Sequence, residues 1–395
     1  MMQVSLLDLN AQFSSIKEEV TQAIHSVLDS QHFIMGSVVK DFEEEVGNYI
    51  GANHALGCAS GSDALLLALM AIDIKPGDYV ITSPFTFFAT AGAISRLGAI
   101  PIFIDIEMES YNIDPVKVRE FLEGNDELSK RLSIKKEQIK AIIPVHLYGQ
   151  MADMNPIMEV AKEFGLYVIE DAAQGIGSKY ENKQAGTVGD FGCFSFFPSK
   201  NLGAYGDAGL ITVKDDELAE KVDILRLHGA RPKYHHKFVG INSRLDSIQA
   251  AVLSVKLKYL EEWSTKRRAL ALRYNDLFEK KGLSLSSTNS HLILPKETTG
   301  APQNNGRHIY HQYTLRSSRR DELQKFLDEN GIGTATYYPV PLHIQECFSN
   351  LGYVEGDCPN SMLASKQAFS LPIYPELASE EVEYVAETIA KFFAR

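Results

Sequence analysis

Residues 166–209 indicate the fold of this chain most clearly. Their sequence is LYVIEDAAQGIGSKYENKQAGTVGDFGCFSFFPSKNLGAYGDAG. The apolar run Tyr167–Ile169 predicts a buried strand, and Asp171 follows it closely. A second run, Phe191–Phe197, predicts another strand, with Lys200 just beyond it. Alone, such an Asp is more often a helix N-cap and such a Lys more often a surface residue. Together they predict a ligand site, because open α/β sheets bind ligands at the carboxyl ends of their strands.

Short apolar runs recur on both sides of this stretch and alternate with segments of helical periodicity. This alternation predicts an α/β domain with a mostly parallel central sheet flanked by helices. The other predicted strands are Tyr79–Thr82, Ile100–Ile104, Ala141–Leu147 and Leu210–Val213, and the predicted helices include Val39–Ile50, Ser62–Ile72, Pro115–Leu122 and Met154–Phe164.

The pattern changes towards the C-terminus. One helix face is apolar from Asp246 onwards, and we expect a long helix that continues towards Phe278. Strands at Tyr310–Leu315 and Thr334–Tyr338 then predict a smaller α+β domain. We expect a large domain of residues 1–262 and a small C-terminal domain of residues 263–395. Between Glu123 and Gln138, a stretch rich in Lys, Glu, Asp and Ser predicts a solvated insertion.

Composition excludes several classes of protein. The 395 residues carry 39 Lys and Arg against 51 Asp and Glu, a formal net charge of -12, and 45% are hydrophobic. These values are typical of a soluble globular protein and argue against general nucleic-acid binding, although not against a local basic pocket. The most apolar long stretch, residues 79–104, is broken by Pro84, Arg96 and Pro101, so we expect no membrane span.

The cysteines and the N-terminal residues predict in which cellular compartment the protein works. The 4 cysteines are scattered without paired short spacing, which disfavours a disulfide framework and a zinc site. Residues 1–13 lack the basic flank and apolar run of a signal peptide. His235 and His236 are adjacent, and neighbouring residues of a strand face opposite sides, so no metal is expected there. We therefore expect a cytoplasmic protein without a metal.

An Asp at one strand end and a Lys in a neighbouring loop are what pyridoxal phosphate (PLP) requires. A partly desolvated lysine attacks carbonyls to form an imine, and a carboxylate pairs with the protonated pyridine nitrogen. The phosphate needs donors, and Gly61, Ser62 and Asp63 begin an apolar helix whose amides and dipole favour an anion. Phe87 or Phe88 offers a ring for stacking on the cofactor, although such an aromatic pair is more often core.

Seven motifs in order resemble the PLP-dependent nucleotide-sugar aminotransferases of the DegT/DnrJ/StrS family. The resemblance covers nearly the whole chain and implies fold type I, PLP as the cofactor and a homodimer that shares its active sites. The motifs are ASGSDAL (59–65), PFTFFATA (84–91), EDAAQ (170–174), SFFPSKNLGAYGDAG (195–209), GINSRLDSIQAAVL (240–253), YYPVPLH (337–343) and FSLPIYPEL (369–377).

The resemblance also implies roles for single residues. Lys200 is the catalytic lysine that holds the cofactor covalently and moves a proton, and a lysine there favours transamination over the dehydratases of the same family. Asp171 holds the pyridinium nitrogen. The other implied cofactor contacts are Gln174 at the phenolic oxygen, Phe87 on the ring, Gly61, Ser62, Asp63 and Ser195 at the phosphate, and Asn242 at the phosphate in the neighbouring subunit.

The implied reaction moves an amino group from glutamate, which leaves as 2-oxoglutarate, to a nucleotide-linked keto-sugar for surface polysaccharide such as lipopolysaccharide O-antigen. HGARPKYHHKFVGINSRLD (228–246) most resembles members that aminate C3 of UDP-2-acetamido-2-deoxy-3-oxo-glucuronate. In those members, the arginine that matches Arg244 binds the sugar carboxylate, a pairing that suits a bidentate guanidinium. Helix capping or pairing with Asp246 is the structural alternative for Arg244.

Three alternatives remain open at this point. The substrate could be a dTDP-3-keto-6-deoxyhexose, since NSRLD also occurs in members that act on such sugars. The protein could instead be a non-catalytic regulator, because a fold does not fix a function. His308, Tyr310 and Tyr313 are expected to contact substrate, with Tyr338 and His343 beside them, but a structural role explains each of these residues equally well.

Overall fold

The computed structural model describes residues 2–132, 134–284, 291–299, 303 and 305–395. Its centre is a seven-stranded sheet. The strands of the sheet are β1 (His54–Cys58), β2 (Tyr79–Thr82), β3 (Ile100–Phe103), β4 (Ile139–Ile143), β5 (Tyr167–Asp171), β8 (Phe191–Ser195) and β9 (Gly209–Val213), while β6 (Lys179–Tyr180) and β7 (Lys183–Gln184) pair separately.

The strand order across the sheet is β1-β9-β8-β5-β4-β2-β3. Strand β9 pairs antiparallel with both of its neighbours, and the other pairs are parallel. The predicted mostly parallel sheet is therefore confirmed. Strands β5 and β8 are parallel neighbours, with Asp171 opposite Cys193. The segments that follow these two strands consequently leave the sheet at the same edge.

Helices cover both faces of the sheet. Two apolar clusters, one on each face, bury residues such as Ile142 and Val168 on one side and Ile143 and Ile169 on the other. The alternation along each strand explains this division, because successive side chains point to opposite faces. The helices of this region are α1 (Leu9–Ser30), α2 (Ser37–Ile50), α3 (Gly61–Ala71), α4 (Ala89–Arg96), α5 (Pro115–Glu123), α6 (Glu127–Leu132), α7 (Met154–Phe164), α8 (Asp216–Leu225), α9 (Ser247–Leu257) and α10 (Leu260–Lys280).

The C-terminal part has its own apolar core, in which Tyr274 of α10 stacks against Phe278 and lies beside Tyr313. It contains β10 (Tyr313–Arg316), α11 (Arg320–Glu329), α12 (Pro359–Gln367), β11 (Ala368–Leu371) and α13 (Ser379–Phe393). Strands β10 and β11 form an antiparallel pair. The expected domain boundary at residues 262 and 263 falls inside α10 and stays a prediction.

The predicted strand Thr334–Tyr338 is wrong. Ala335 forms a single bridge to Ser370 at the free edge of β11, and no strand extends from it. Gly333 precedes the bridge and Pro339 follows it, and neither residue favours continued pairing. The strand predicted at Tyr310–Leu315 begins later, at Tyr313, because Tyr310 has a positive φ of 48° that an extended strand does not accommodate.

The long helix predicted from Asp246 to Phe278 is interrupted. Helix α9 ends at Leu257 and α10 begins at Leu260. At the junction, the amide of Tyr259 donates to the carbonyl of Lys256, a tighter turn than the α-helical pattern. The stretch predicted as a solvated insertion contains the short, exposed helix α6. Within the described residues, no helix combines the length and apolarity needed to cross a membrane.

Candidate active site

The site begins at the edge of the sheet where β5 and β8 end. Asp171 is the last residue of β5 and is buried. Its carboxylate accepts hydrogen bonds from the hydroxyl of Thr90 (2.7 Å) and from the amide of Ala173 (3.2 Å). Burial raises the pKa of Asp171, while these donors and the charge of Lys200 oppose the rise. The carboxylate is thus fixed in orientation and held in a dry environment.

Lys200 lies in the turn that follows β8. Its backbone amide donates to the carbonyl of Phe197 (2.8 Å). Burial lowers the pKa of the Lys200 side chain to about 8, and the negative charge of Asp171 opposes this shift. About one-tenth of such an amine is unprotonated at pH 7, against less than one-thousandth of an ordinary lysine. Lys200 is therefore prepared for nucleophilic attack on a carbonyl.

A small cradle forms where β8 meets the start of α3. Ser60 is the N-cap of α3 and accepts a hydrogen bond from the amide of Asp63 (3.2 Å). A Cβ at Gly61 would lie only 2.6 Å from the Cβ of Ser195, so this approach requires glycine. The first amides of a helix have no acceptor within it and attract anions. The first turn of α3, which contains Ser62, and Ser195, which packs against Gly61, are thus suited to bind a phosphate.

Gln174 and two tyrosines border the space beyond Asp171. The amide oxygen of Gln174 accepts from the backbone of Tyr148 (2.7 Å), and its nitrogen donates to the hydroxyl of Tyr338 (3.2 Å). The ring of Phe87 is exposed and lies 6.3 Å from that of Tyr338. Tyr338 therefore contacts both the exposed ring of Phe87 and the side-chain amide of Gln174.

The residues predicted to contact the substrate separate into two groups. Arg244 is partly buried, and among the described residues it forms no hydrogen bond or ion pair, so neither structural alternative is realised there. Tyr310 and Tyr313 instead lie in the C-terminal core, with hydroxyls that donate to Glu297 (2.9 Å) and Asn275 (2.6 Å). His308 stacks on Tyr310 at 3.9 Å, and burial lowers its pKa to about 3.

His343 and Asn242 occupy contrasting environments. His343 is buried, and its ring lies 6.2 Å from that of Tyr353. Asn242 is exposed at the end of an exposed loop. No group of three or more His, Cys, Asp or Glu side chains in the described part of the chain could hold a metal ion.

Sequence reasoning missed several residues of the site. Thr90 orients Asp171, and its place in PFTFFATA, three residues after Phe87, was the available signal. The side-chain oxygen of Asn201, next to Lys200, accepts a hydrogen bond from Nδ1 of His311 (3.0 Å), a contact across 110 residues that no local pattern reveals. Burial and the positive charge of Lys200 hold the pKa of His311 well below its usual value.

The arrangement fits PLP. A buried carboxylate, an amine with a lowered pKa, a glycine-dependent phosphate cradle and an exposed aromatic ring are the groups that this cofactor needs. The fit depends on Asp171 and Lys200 being close enough for each charge to shift the pKa of the other.

The lowered pKa of Lys200 gives a testable pH dependence. We expect the rate at which the apoprotein forms a borohydride-trappable imine at Lys200 with a small aldehyde to rise about tenfold per pH unit below pH 8 and to level off above it. Replacing Asp171 by Asn removes the charge that raises the lysine pKa, so the midpoint should move to lower pH. Peptide mapping of the trapped adduct measures the rate at Lys200, and a midpoint near the ordinary lysine value of 10.5 would contradict the desolvated site.

Comparison with known proteins agrees with this geometry. A "Pleiotropic regulatory protein" of Geobacillus stearothermophilus is 48% identical over 392 residues, 99% of each chain. A "UDP-N-acetyl-3-dehydro-alpha-D-glucosamine 3-aminotranferase" of Acidithiobacillus ferrooxidans is 39% identical, covering 98% of this chain and 97% of the relative. The solved structure of DesV from S. venezuelae, in complex with a ketimine intermediate, is 37% identical, covers 100% of both chains and superposes with a TM-score of 0.91.

The sequence pattern of one family matches residues 14–390, nearly the whole chain. This match includes all seven motifs, which lie between residues 59 and 377, and the parallel sheet with its flanking helices agrees with the solved relative. The chain therefore belongs to the DegT/DnrJ/EryC1/StrS aminotransferase family.

Proposed function

We propose that this protein is a PLP-dependent aminotransferase that moves the amino group of glutamate to a nucleotide-linked 3-keto-sugar. The observation that carries the proposal is the pair formed by Asp171 and Lys200, a buried carboxylate and a lysine with a pKa of about 8 at one edge of the sheet. The similarity to the Acidithiobacillus 3-aminotransferase supports the choice of a UDP-linked sugar and of C3.

When bound, PLP supplies an aldehyde that condenses with amines and a pyridinium ring that draws electrons from the neighbouring carbon. In our proposal, the Asp171 carboxylate keeps the pyridine nitrogen protonated, and Thr90 keeps that carboxylate in place. Gln174 donates to the phenolic oxygen, Phe87 covers the ring, and the start of α3 with Ser62 and Ser195 holds the phosphate. Each of these residues ends a strand of the sheet or lies in the segment that follows one, and these strands end at the same edge of the sheet.

Lys200 has two tasks in this proposal. Its Nζ would hold the cofactor covalently, and as a free amine it would take a proton from the donor carbon and deliver it to the cofactor carbon. A pKa near 8 suits both directions, because the amine can accept and lose a proton near neutral pH. The second half of the cycle runs the same proton transfers in reverse on the keto-sugar.

Arg244 supports a uronate as the sugar. It has no acceptor among the described residues, although it is only partly exposed and its neighbours Ser243 and Leu245 are buried. A guanidinium without a protein partner is available for a bidentate bond to a carboxylate. We therefore propose UDP-2-acetamido-2-deoxy-3-oxo-glucuronate as the acceptor, with the neutral 3-keto-N-acetylglucosamine and dTDP-3-keto-6-deoxyhexoses as competing acceptors. An amino-uronate would serve polysaccharide biosynthesis.

We also propose that the working unit is a homodimer. The loop before Asn242 exposes Tyr234 (79%), Phe238 (39%) and Val239 (94%), and several exposed apolar residues in one loop are typical of an interaction surface. A second copy that covers this loop would bring Asn242 towards the phosphate cradle of the other subunit. This arrangement makes each active site depend on residues from two chains.

The regulatory name of the Geobacillus relative leaves a non-catalytic protein as the second candidate. That candidate predicts cofactor binding without amino transfer. A panel of UDP- and dTDP-linked 3-keto-sugars with glutamate, followed by mass spectrometry, distinguishes the two. We expect an amino-sugar from a UDP-3-keto-sugar and none from the Lys200→Ala variant. Absence of an amino-sugar from every acceptor, with the cofactor bound, would favour the regulator.

Arg244→Ala should raise the KM of the uronate acceptor about 10- to 100-fold, the value of a lost charge-assisted hydrogen bond, and leave the neutral 3-keto-N-acetylglucosamine nearly unaffected. Arg273→Ala is the matched control, because Arg273 pairs with Asp276 and Glu383 on the surface of the C-terminal part. Steady-state kinetics with both acceptors measure the difference. Equal losses for the two sugars would remove the carboxylate from the proposal.

Shared active sites predict complementation between two inactive variants. Lys200→Ala lacks the amine, and Asn242→Asp places a negative charge beside the partner's phosphate cradle. Mixed and refolded together, they should recover about one quarter of the wild-type activity, since half of the dimers are mixed and each has one intact site. A mixture no more active than the two variants measured separately would show that Asn242 does not act across subunits.

A further inference from the structure

Lys256 of α9 is a buried cation that the proposed chemistry does not use. Only 1% of the surface of Lys256 is exposed to solvent. Among the described residues, no carboxylate lies within ion-pair distance of its ammonium group, and Glu376 acts on its charge only from farther away. Burial lowers its pKa to about 8. Placing an ammonium group in such surroundings costs free energy that a methionine or leucine of similar size would not.

The ammonium group of Lys256 is directed at the turn around Lys200, which comprises residues 196–204 and is called the lysine turn below. Its Nζ donates to the carbonyl of Gly203 (2.7 Å) and lies 4.4 Å from the centre of the Tyr205 ring. Both residues belong to the segment that follows Lys200. The contact joins residues that are 53 positions apart in the chain. It is therefore a long-range tertiary contact between α9 and the turn that carries Lys200.

A second residue of α9 binds the same segment. The side chain of Gln249 accepts a hydrogen bond from the amide of Tyr205 (2.8 Å) and donates to the carbonyl of the same residue (3.3 Å). Gln249 and Lys256 are separated by two helical turns, so they share one face of α9. Helix α9 thus holds the segment at Gly203 and at Tyr205.

The turn itself has little freedom once Gly203 is fixed. A Cβ at Gly203 would lie 2.3 Å from the carbonyl oxygen of Pro198, so the two ends of the turn are in close contact around Lys200. The amide of Ala204 also donates to the carbonyl of Phe196 (2.8 Å) and closes the base of the turn. Rotation of the Gly203 peptide would shift Pro198 and the residues between them, which include Lys200.

We propose that Lys256 is a positioning residue for Lys200: its ammonium group holds the Gly203 carbonyl and so fixes the turn that directs the reactive amine. This inference rests on the proposed function, because it assigns Lys256 a task in the chemistry of Lys200. The charge matters because a charged donor binds a carbonyl more strongly than a neutral one does. A shift of about 1 Å in a reacting group can cost a hundredfold in rate.

The test replaces Lys256 by Met, which keeps the length and removes the donor. Lys258→Met is the matched control, because Lys258 is exposed near the end of the same helix. The first readout is the midpoint of the absorbance change when the PLP-loaded protein is titrated with alkali, which needs no substrate. We expect this midpoint to move by at least half a pH unit in Lys256→Met and not at all in Lys258→Met.

The second readout is the rate of 2-oxoglutarate formation from glutamate. Lys256→Met should lower kcat about 10- to 100-fold with less than a threefold change in KM, and Lys256→Arg, which keeps a charged donor, should recover most of the loss. If Lys256→Met does not fold, Lys256→Gln tests the inference instead. It keeps a neutral donor, so its midpoint and kcat should lie between those of the wild-type protein and those expected for a protein without a donor.

Two outcomes overturn the inference in different ways. In the first outcome, borohydride reduction of the wild-type protein traps PLP on Lys200, but the Lys256 variants have the wild-type midpoint and kcat. Lys256 then has only a structural role. If the wild-type protein forms no such bond, the proposed function fails and the inference fails with it. A lower melting temperature with unchanged midpoint and kcat belongs to the first outcome.

Discussion

The opposite charges of Asp171 and Lys200, held close together at a dry edge of the sheet, are the interaction on which the rest of the site depends. Burial disfavours both charges, and each charge partly restores the other. The lysine is left with a pKa of about 8, low enough for attack and high enough to return a proton. A hydrogen bond from Thr90 orients the carboxylate, and the close contact between Gly203 and Pro198 restricts the turn around Lys200.

The fold creates the pair through topology. Strands β5 and β8 are parallel neighbours, so residues distant in sequence leave the sheet at one edge. The antiparallel strand β9 then returns the chain beside β8, and the lysine turn belongs to the segment that connects these two strands. Gln249 and Lys256 of helix α9 form hydrogen bonds to the backbone of this segment, at Tyr205 and Gly203. The sheet thus places the two charges, and a helix outside the sheet restricts their movement.

The sequence predicted the parallel sheet, Asp171 and Lys200, because apolar runs and the polar residues that end them are local signals. It could not predict contacts whose partners are far apart in the chain, such as Asn201 with His311 or Lys256 with Gly203. The strand predicted at Thr334–Tyr338 failed for a related reason: its residues have strand propensity, but only Ala335 finds a pairing partner. The burial of Tyr310 and Tyr313 in the C-terminal core likewise depends on packing that no motif encodes.

In the proposed reaction, Lys200 and Asp171 catalyse the transfer of an amino group from a donor to the cofactor. A single-turnover experiment with PLP-loaded protein and glutamate, without an acceptor sugar, measures this transfer most directly. We expect one 2-oxoglutarate per active site, with loss of the yellow absorbance of the Lys200-bound cofactor. Unchanged absorbance with no 2-oxoglutarate, in protein that holds PLP at Lys200, would contradict it.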